Sequence, residues 1–213
     1  MSKRKILSLS LILFCLFLAT TYLVGTGRFG SIDRQITILF QSLIGRSLDV
    51  PLSFFSLLAS SEIIMIILAV IAALVYFRYK KVFFGLGLIF AVYFFELIGK
   101  FFIYHPGPPK EFFRYDLPFV FPSAYVHTNY SFPSGHVSRT FFIAVILFFI
   151  VKKLGTFFHR KYFVSCLLFV VCSIMVVSRI YLGEHWFSDV LGGIFLGSSL
   201  GLLAFVQYHR EIS

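Results

Sequence analysis

Hydrophobic positions in this chain do not alternate with polar ones; they run together. Continuous apolar stretches occupy about residues 6–24, 62–78, 82–104, 135–151, 162–182 and 187–208. Each is close to the roughly 20 residues that an α-helix needs to cross a bilayer. A membrane β-barrel would instead show short alternating segments. The pattern predicts an all-α, polytopic integral membrane protein with six transmembrane helices in one bundle.

Two segments do not cross. In residues 25–61, "DRQITILFQSLIG" repeats its apolar residues at helical spacing, which predicts a short helix lying along the membrane interface. The second, "HPGPPKEFFRYDLPFVFPSAYVHTNYSFPSGH" at 105–136, holds six of the chain's seven prolines. Regular helix is excluded there, and an ordered loop of that length usually has a function. Gly193, Gly197 and Gly201 share one face of the last run, a pattern for close helix packing.

Composition sharpens the picture. A mean hydropathy of +0.91 excludes a soluble globular domain. "MSKRK" before an apolar run has the look of a signal peptide, but the run is long and no clear small-x-small site follows. It is expected to be the first membrane helix. Cys15, Cys166 and Cys172 lie inside apolar runs without ligand spacing and are expected to be packing residues.

The net charge of +10 would suit a nucleic-acid partner, but its distribution argues otherwise. Lys3, Arg4, Lys5, Arg78, Lys80, Lys81, Lys152, Lys153, Arg160, Lys161 and Arg210 all fall on one side of a six-helix topology. That is the positive-inside pattern, so both termini are expected in the cytoplasm of a cell (plasma or inner) membrane. No nucleic-acid partner is expected; attraction to anionic lipid is secondary. The oligomeric state is left open.

The same topology sends Lys100, His136, Arg179 and His185 to the opposite, extracytoplasmic face, from four different helix ends. Ionisable groups at such depth are costly and usually face a working cavity. Lys100 and Arg179 supply positive charge, and the guanidinium fork matches phosphate oxygens. "PSGH" puts Pro133 at a helix start, so the Ser134 and Gly135 amides are expected to point outward at an anion. His185 and Asp189 are four residues apart, so the carboxylate can fix one imidazole nitrogen and leave the other free to attack phosphorus. His136, from another helix, can protonate the departing oxygen. Two His and one Asp can also ligate zinc, but the surrounding cations match an anion better.

These stretches resemble the signature of the type 2 phosphatidic acid phosphatase (PAP2) family, which includes vanadium haloperoxidases and bacterial acid phosphatases. That signature is Lys-x6-Arg-Pro, Pro-Ser-Gly-His and Ser-Arg-x5-His-x3-Asp. The second stands at 133–136, and the third as Ser178, Arg179, His185 and Asp189. The first departs: in "KFFIYHPGP", Gly107 stands where the family has arginine, before Pro108. Arg139, three residues after His136 and on its helix face, is the expected substitute clamp, with Arg114 and Lys110 behind it. Glu96, one turn before Lys100, is placed to pair with it.

The resemblance implies a single membrane domain over 1–213, with loop 105–134 and helix ends 135–139 and 178–189 forming the site. It implies a phosphohistidine on His185, oriented by Asp189, with His136 as acid. Lys100, Ser134, Gly135 and Arg179 would hold phosphate oxygens, and no metal or other cofactor is expected. Because the site opens at membrane depth, the expected substrate is a membrane lipid phosphate. The choices are undecaprenyl diphosphate, narrowly first, phosphatidylglycerol phosphate and phosphatidic acid. The rival reading is a non-catalytic or weakly active protein that binds or transports phosphorylated lipid, having lost the arginine at 107.

Overall fold

The structure is a computed structural model that describes residues 2–115, 117–119, 121–125, 128–153 and 158–212. At 124–125, 153, 158–161 and 208–212 it describes the backbone only. The side chains of Lys153, Arg160, Lys161 and Arg210, counted above among the cytoplasmic charges, lie outside that description, as do loop positions 116, 120, 126 and 127.

The described residues form helices and connecting loops. They are α1 (Lys3–Gly25), α2 (Gly30–Leu43), α3 (Asp49–Leu57), α4 (Ser61–Tyr79), α5 (Ile89–Phe102), α6 (Gly135–Lys153), α7 (Phe158–Tyr181) and α8 (Phe187–Ile212). Six stretches are long and apolar enough to cross a membrane, one for each predicted run. In the third, a 3-10 turn at Phe84–Leu88 precedes α5.

The helices sort by burial. α8 is the central helix: 78% of its apolar window is buried, against 22% for α1 and for α4. Its glycines explain how neighbours approach it. A Cβ at Gly193, Gly197 or Gly201 would run into the backbone of Ser134, just before α6, and of Ser138 and Phe142 within it, so these residues are the packing stripe anticipated from their spacing. On its α1 side, Ser199 and Ser10 each donate a 2.8 Å hydrogen bond to the other's carbonyl oxygen. Polar groups within a bilayer must be satisfied inside the protein, and this pair does so while joining the two helices.

Residues 25–61 depart from expectation in two ways. They form two helices rather than one, and α2 buries two polar residues on its inward face. Asp33 and Thr37 are buried, whereas Ile32, Ile38, Leu39 and Leu43 are exposed. Those four apolar side chains are therefore available to lipid, while Asp33 and Thr37, with the half-buried Ile36 and Phe40, face α7 and α8. The three cysteines are free, but Cys15 and Cys166 differ from expectation in being exposed on the helix surfaces rather than packed.

Candidate active site

The turn between α7 and α8 builds the centre of the site. Gly183 has φ +67°, and a Cβ there would meet the Phe112 carbonyl, so the turn needs glycine on both counts. The Arg179 carbonyl then accepts the amides of Glu184 (3.3 Å) and His185 (3.2 Å). This wraps the chain back and aims Arg179 and His185 into one space. The loop after α5 locks on from outside: Trp186 Nε1 donates to Pro106 O (2.8 Å) and the Arg114 amide to Leu182 O (2.9 Å). From α2, Gln41 Nε2 donates to both Phe112 O (2.6 Å) and Tyr181 O (2.9 Å).

That space is a cavity of about 420 Å³, lined by Lys100, His136, Arg139, Arg179 and His185, with Glu96 and Glu184. The four residues assigned to one face by topology thus meet. Asp189 stands behind His185: its Oδ2 is 3.2 Å from His185 Nδ1 and accepts the Trp186 amide at 2.9 Å. A carboxylate at Nδ1 places the proton there and leaves Nε2 with its lone pair. Burial first, then the Lys100 and Arg179 charges, hold the His185 imidazole well below its ordinary pKa. It is therefore neutral at pH 7, the form a nucleophile requires.

Arg179 is fully buried. None of its guanidinium nitrogens makes a hydrogen bond among the described residues, and its charge contact is the Glu184 carboxylate. A buried guanidinium on a cavity wall, held by one carboxylate, has donors left over for an oxyanion. Sequence reasoning did not single out Glu184; its place one residue before His185, in the turn, was the only signal.

Arg139 also reaches the cavity. Its Nη1 lies 2.8 Å from Glu96 Oε2, its Nε donates to Ala59 O at 3.1 Å, and its guanidinium lies 5.3 Å from the Tyr93 ring centre. Glu96 Oε1 holds Lys100 Nζ at 3.0 Å, the pairing expected one helical turn apart. Arg114 and Lys110 are not cavity-lining residues. Arg114 instead stacks on Tyr181, whose hydroxyl donates to Gly45 O and Asp49.

The "PSGH" expectation needs correction in its details. The Ser134 amide does not point at an anion; it donates to Asp189 O at 2.9 Å. The buried Ser134 hydroxyl has no hydrogen-bond partner. At Gly135, an added Cβ would occupy the place of the Glu96 carboxylate. The favourable anion position at the α6 N-terminus therefore faces Glu96, itself compensated by Lys100 and Arg139.

Comparison with known proteins identifies the family and the fold. The family model described as PAP2 superfamily matches residues 80–213. Phosphatidylglycerophosphatase B of Bacillus subtilis (strain 168) is 30% identical over 197 residues, spanning 92% of this chain and 90% of that protein. Among solved structures, the transmembrane PAP2 type phosphatidylglycerolphosphate phosphatase from Bacillus subtilis superposes with a TM-score of 0.75 at 25% identity. The match covers 94% of this chain and 96% of that one. LpxE from Aquifex aeolicus shares the fold, with a TM-score of 0.58 at 23% identity over 82% of this chain and 94% of that one. By sequence motif, bundle and family model alike, this chain is a multi-pass membrane protein belonging to the PAP2 superfamily.

Proposed function

We propose that this chain is a lipid phosphate phosphatase working through a phosphohistidine. The observation that carries the reading is the His185–Asp189 contact of 3.2 Å, at a cavity whose wall also carries the buried Arg179 guanidinium. His185 Nε2 attacks phosphorus while Asp189 holds the Nδ1 proton. The bond from phosphorus to the lipid oxygen breaks, and His136 delivers a proton to that oxygen. Water then attacks the phosphohistidine, giving its proton to His136. The phosphorus–nitrogen bond breaks, and inorganic phosphate leaves. Arg179 and Lys100, with Arg139 as the proposed third cation, balance the charge on the phosphoryl oxygens during both transfers. The buried Ser134 hydroxyl is proposed to complete the phosphate site, and a phosphate held by the Gly135 backbone would have to share the α6 N-terminus with Glu96.

The relative named phosphatidylglycerophosphatase B moves phosphatidylglycerol phosphate ahead of undecaprenyl diphosphate and phosphatidic acid as the substrate. The basic residues at the far ends of the helices support cytoplasmic termini and an extracytoplasmic site in the cell membrane. Phosphate release from these three lipids, with purified protein in detergent and a chelator present, tests the reading. Release from at least one, lost in His185→Ala, is expected. Binding of all three without release would favour the non-catalytic reading that Gly107 suggests.

A further inference from the structure

The proposed catalytic pair does not stand alone. On the far side of Asp189 lies a buried cluster, His105, Ser188 and Asp33, none of which is among the fixed residues of the three motifs. His105 Nε2, from the loop after α5, is 3.3 Å from Asp189 Oδ1, 3.0 Å from Ser188 Oγ and 3.6 Å from Asp33 Oδ2. Asp33, from α2, accepts both the Ser188 amide and the Ser188 hydroxyl at 2.8 Å. His105, Ser188, Asp33 and Asp189 are all buried.

The hydrogen-bond directions in this cluster are determined. Ser188 Oγ–H points at the Asp33 carboxylate, so Ser188 Oγ is an acceptor toward His105. Every group facing His105 Nε2 is then an acceptor, and Nε2 carries the proton. Asp189 Oδ2 is committed to His185 and the Trp186 amide, whereas Oδ1 makes no hydrogen bond of its own among the described residues. The His105 N–H faces that oxygen at 3.3 Å, and the Ser131 hydroxyl also acts on the same carboxylate. A buried carboxylate oxygen without a hydrogen bond is costly, and it is free to rotate toward any donor. Rotation of Asp189 would release His185 Nδ1.

We infer that His105, held by Ser188 and Asp33, is a positioning residue that fixes the Asp189 carboxylate and thereby orients the His185 nucleophile. α2 thus has a task beyond lying at the interface: it braces the nucleophile from behind through Asp33. The inference rests on the proposed roles of His185 and Asp189.

Steady-state kinetics on the lipid substrate test it, together with thermal unfolding in detergent. His105→Leu removes the donor; His105→Gln keeps an amide N–H near the Nε2 position. Expected is a fall in kcat of about 10- to 100-fold for His105→Leu, the scale of a displaced reacting group. KM and the unfolding midpoint should stay near wild type, and His105→Gln should recover most of kcat. Ser188→Ala, which deletes only a hydroxyl, should lower kcat in the same sense and decides the matter if His105→Leu does not fold. Unchanged kcat in His105→Leu overturns the inference, as does a loss that tracks unfolding and is not recovered by glutamine. Asp189→Asn separates the two levels. If it keeps full kcat, the proposed mechanism itself falls; if it is inactive while His105→Leu and Ser188→Ala are not, only the bracing role falls.

Discussion

Arg139 and Lys100 share one carboxylate: Glu96, buried on α5 beside the start of α6, lies 2.8 Å from the first and 3.0 Å from the second. The two cations are positioned by this anion, not by solvent. Breaking a buried charge group by removing one partner costs about 3–5 kcal/mol, because the others remain uncompensated. Glu96→Ala should therefore lower the thermal unfolding midpoint in detergent and reduce phosphatase activity together. A variant with wild-type melting would show that Lys100 and Arg139 need no common anchor.

The histidines should separate kinetically. His185→Ala should abolish turnover and any trapped phosphoenzyme. His136→Ala should still form phosphoenzyme from p-nitrophenyl phosphate, because a good leaving group needs little acid assistance. Equal loss with good and poor leaving groups would remove His136 from the acid role. Because burial and the neighbouring cations depress the His185 pKa, the acid limb of kcat/KM should lie below the ordinary imidazole value of about 6.5.

Asp33 makes a prediction about stability. Burial raises its pKa from 3.8 to about 6. The folded state therefore binds a proton more tightly than the unfolded state, and stability falls as pH rises between these two values. Above pH 6 the ionised group carries a penalty on the order of 3 kcal/mol, the free-energy equivalent of such a shift. Asp33→Asn should melt at the wild-type temperature near pH 4 and higher than wild type at pH 7.5, while activity drops if the group braces the nucleophile. A variant that melts lower at pH 7.5 would mean that the carboxylate–Ser188 bonds outweigh burial.

This buried aspartate also shows where sequence stops being informative. The six spans were legible because a bilayer demands long apolar runs, and the three motif segments were legible because their spacing puts Lys100, His136, Arg179 and His185 at one end of the bundle. The inward face of α2 was not. Ile32, Ile38, Leu39 and Leu43 are exposed, while Asp33 and Thr37 are buried beside Ile36 and Phe40, so hydrophobicity does not mark which face turns inward. His105 and Glu184 were hidden differently: each meets its partners through loops whose path no periodicity encodes. The Ser134 amide was misassigned because a helix start predicts free amides without saying which carbonyl passes nearby.

Topology can be tested by labelling. With Cys15, Cys166 and Cys172 replaced, single cysteines at the exposed positions Lys81 and Lys110 should react with an impermeant reagent from opposite sides of the membrane. Lys110 should be the extracytoplasmic one. Labelling of both from one side would break the six-span arrangement and the sidedness of the site.

The missing arginine of the first motif is the sharpest question for the chemistry. Three cations around a transferring phosphoryl group balance its equatorial oxygens, and Gly107 removes the usual one. Arg139 reaches the same cavity from α6 and is held there by Glu96 and the Ala59 carbonyl. Loss of one such charge-assisted contact costs roughly 2–4 kcal/mol of transition-state stabilisation, or about 30- to 1000-fold in rate. Arg139→Ala should show that loss in kcat/KM. Position 107 has room at its first atom, since a Cβ there meets only Ser131 Cβ, at 3.6 Å. Gly107→Arg in the Arg139→Ala background should therefore restore part of the rate without restoring the Glu96 contact. Recovery of activity together with unchanged melting would separate the phosphate-clamping role of Arg139 from its part in the ion group. Near-wild-type activity in Arg139→Ala alone would leave Arg179 and Lys100 as a sufficient pair, and Arg139 as a partner of Glu96 only.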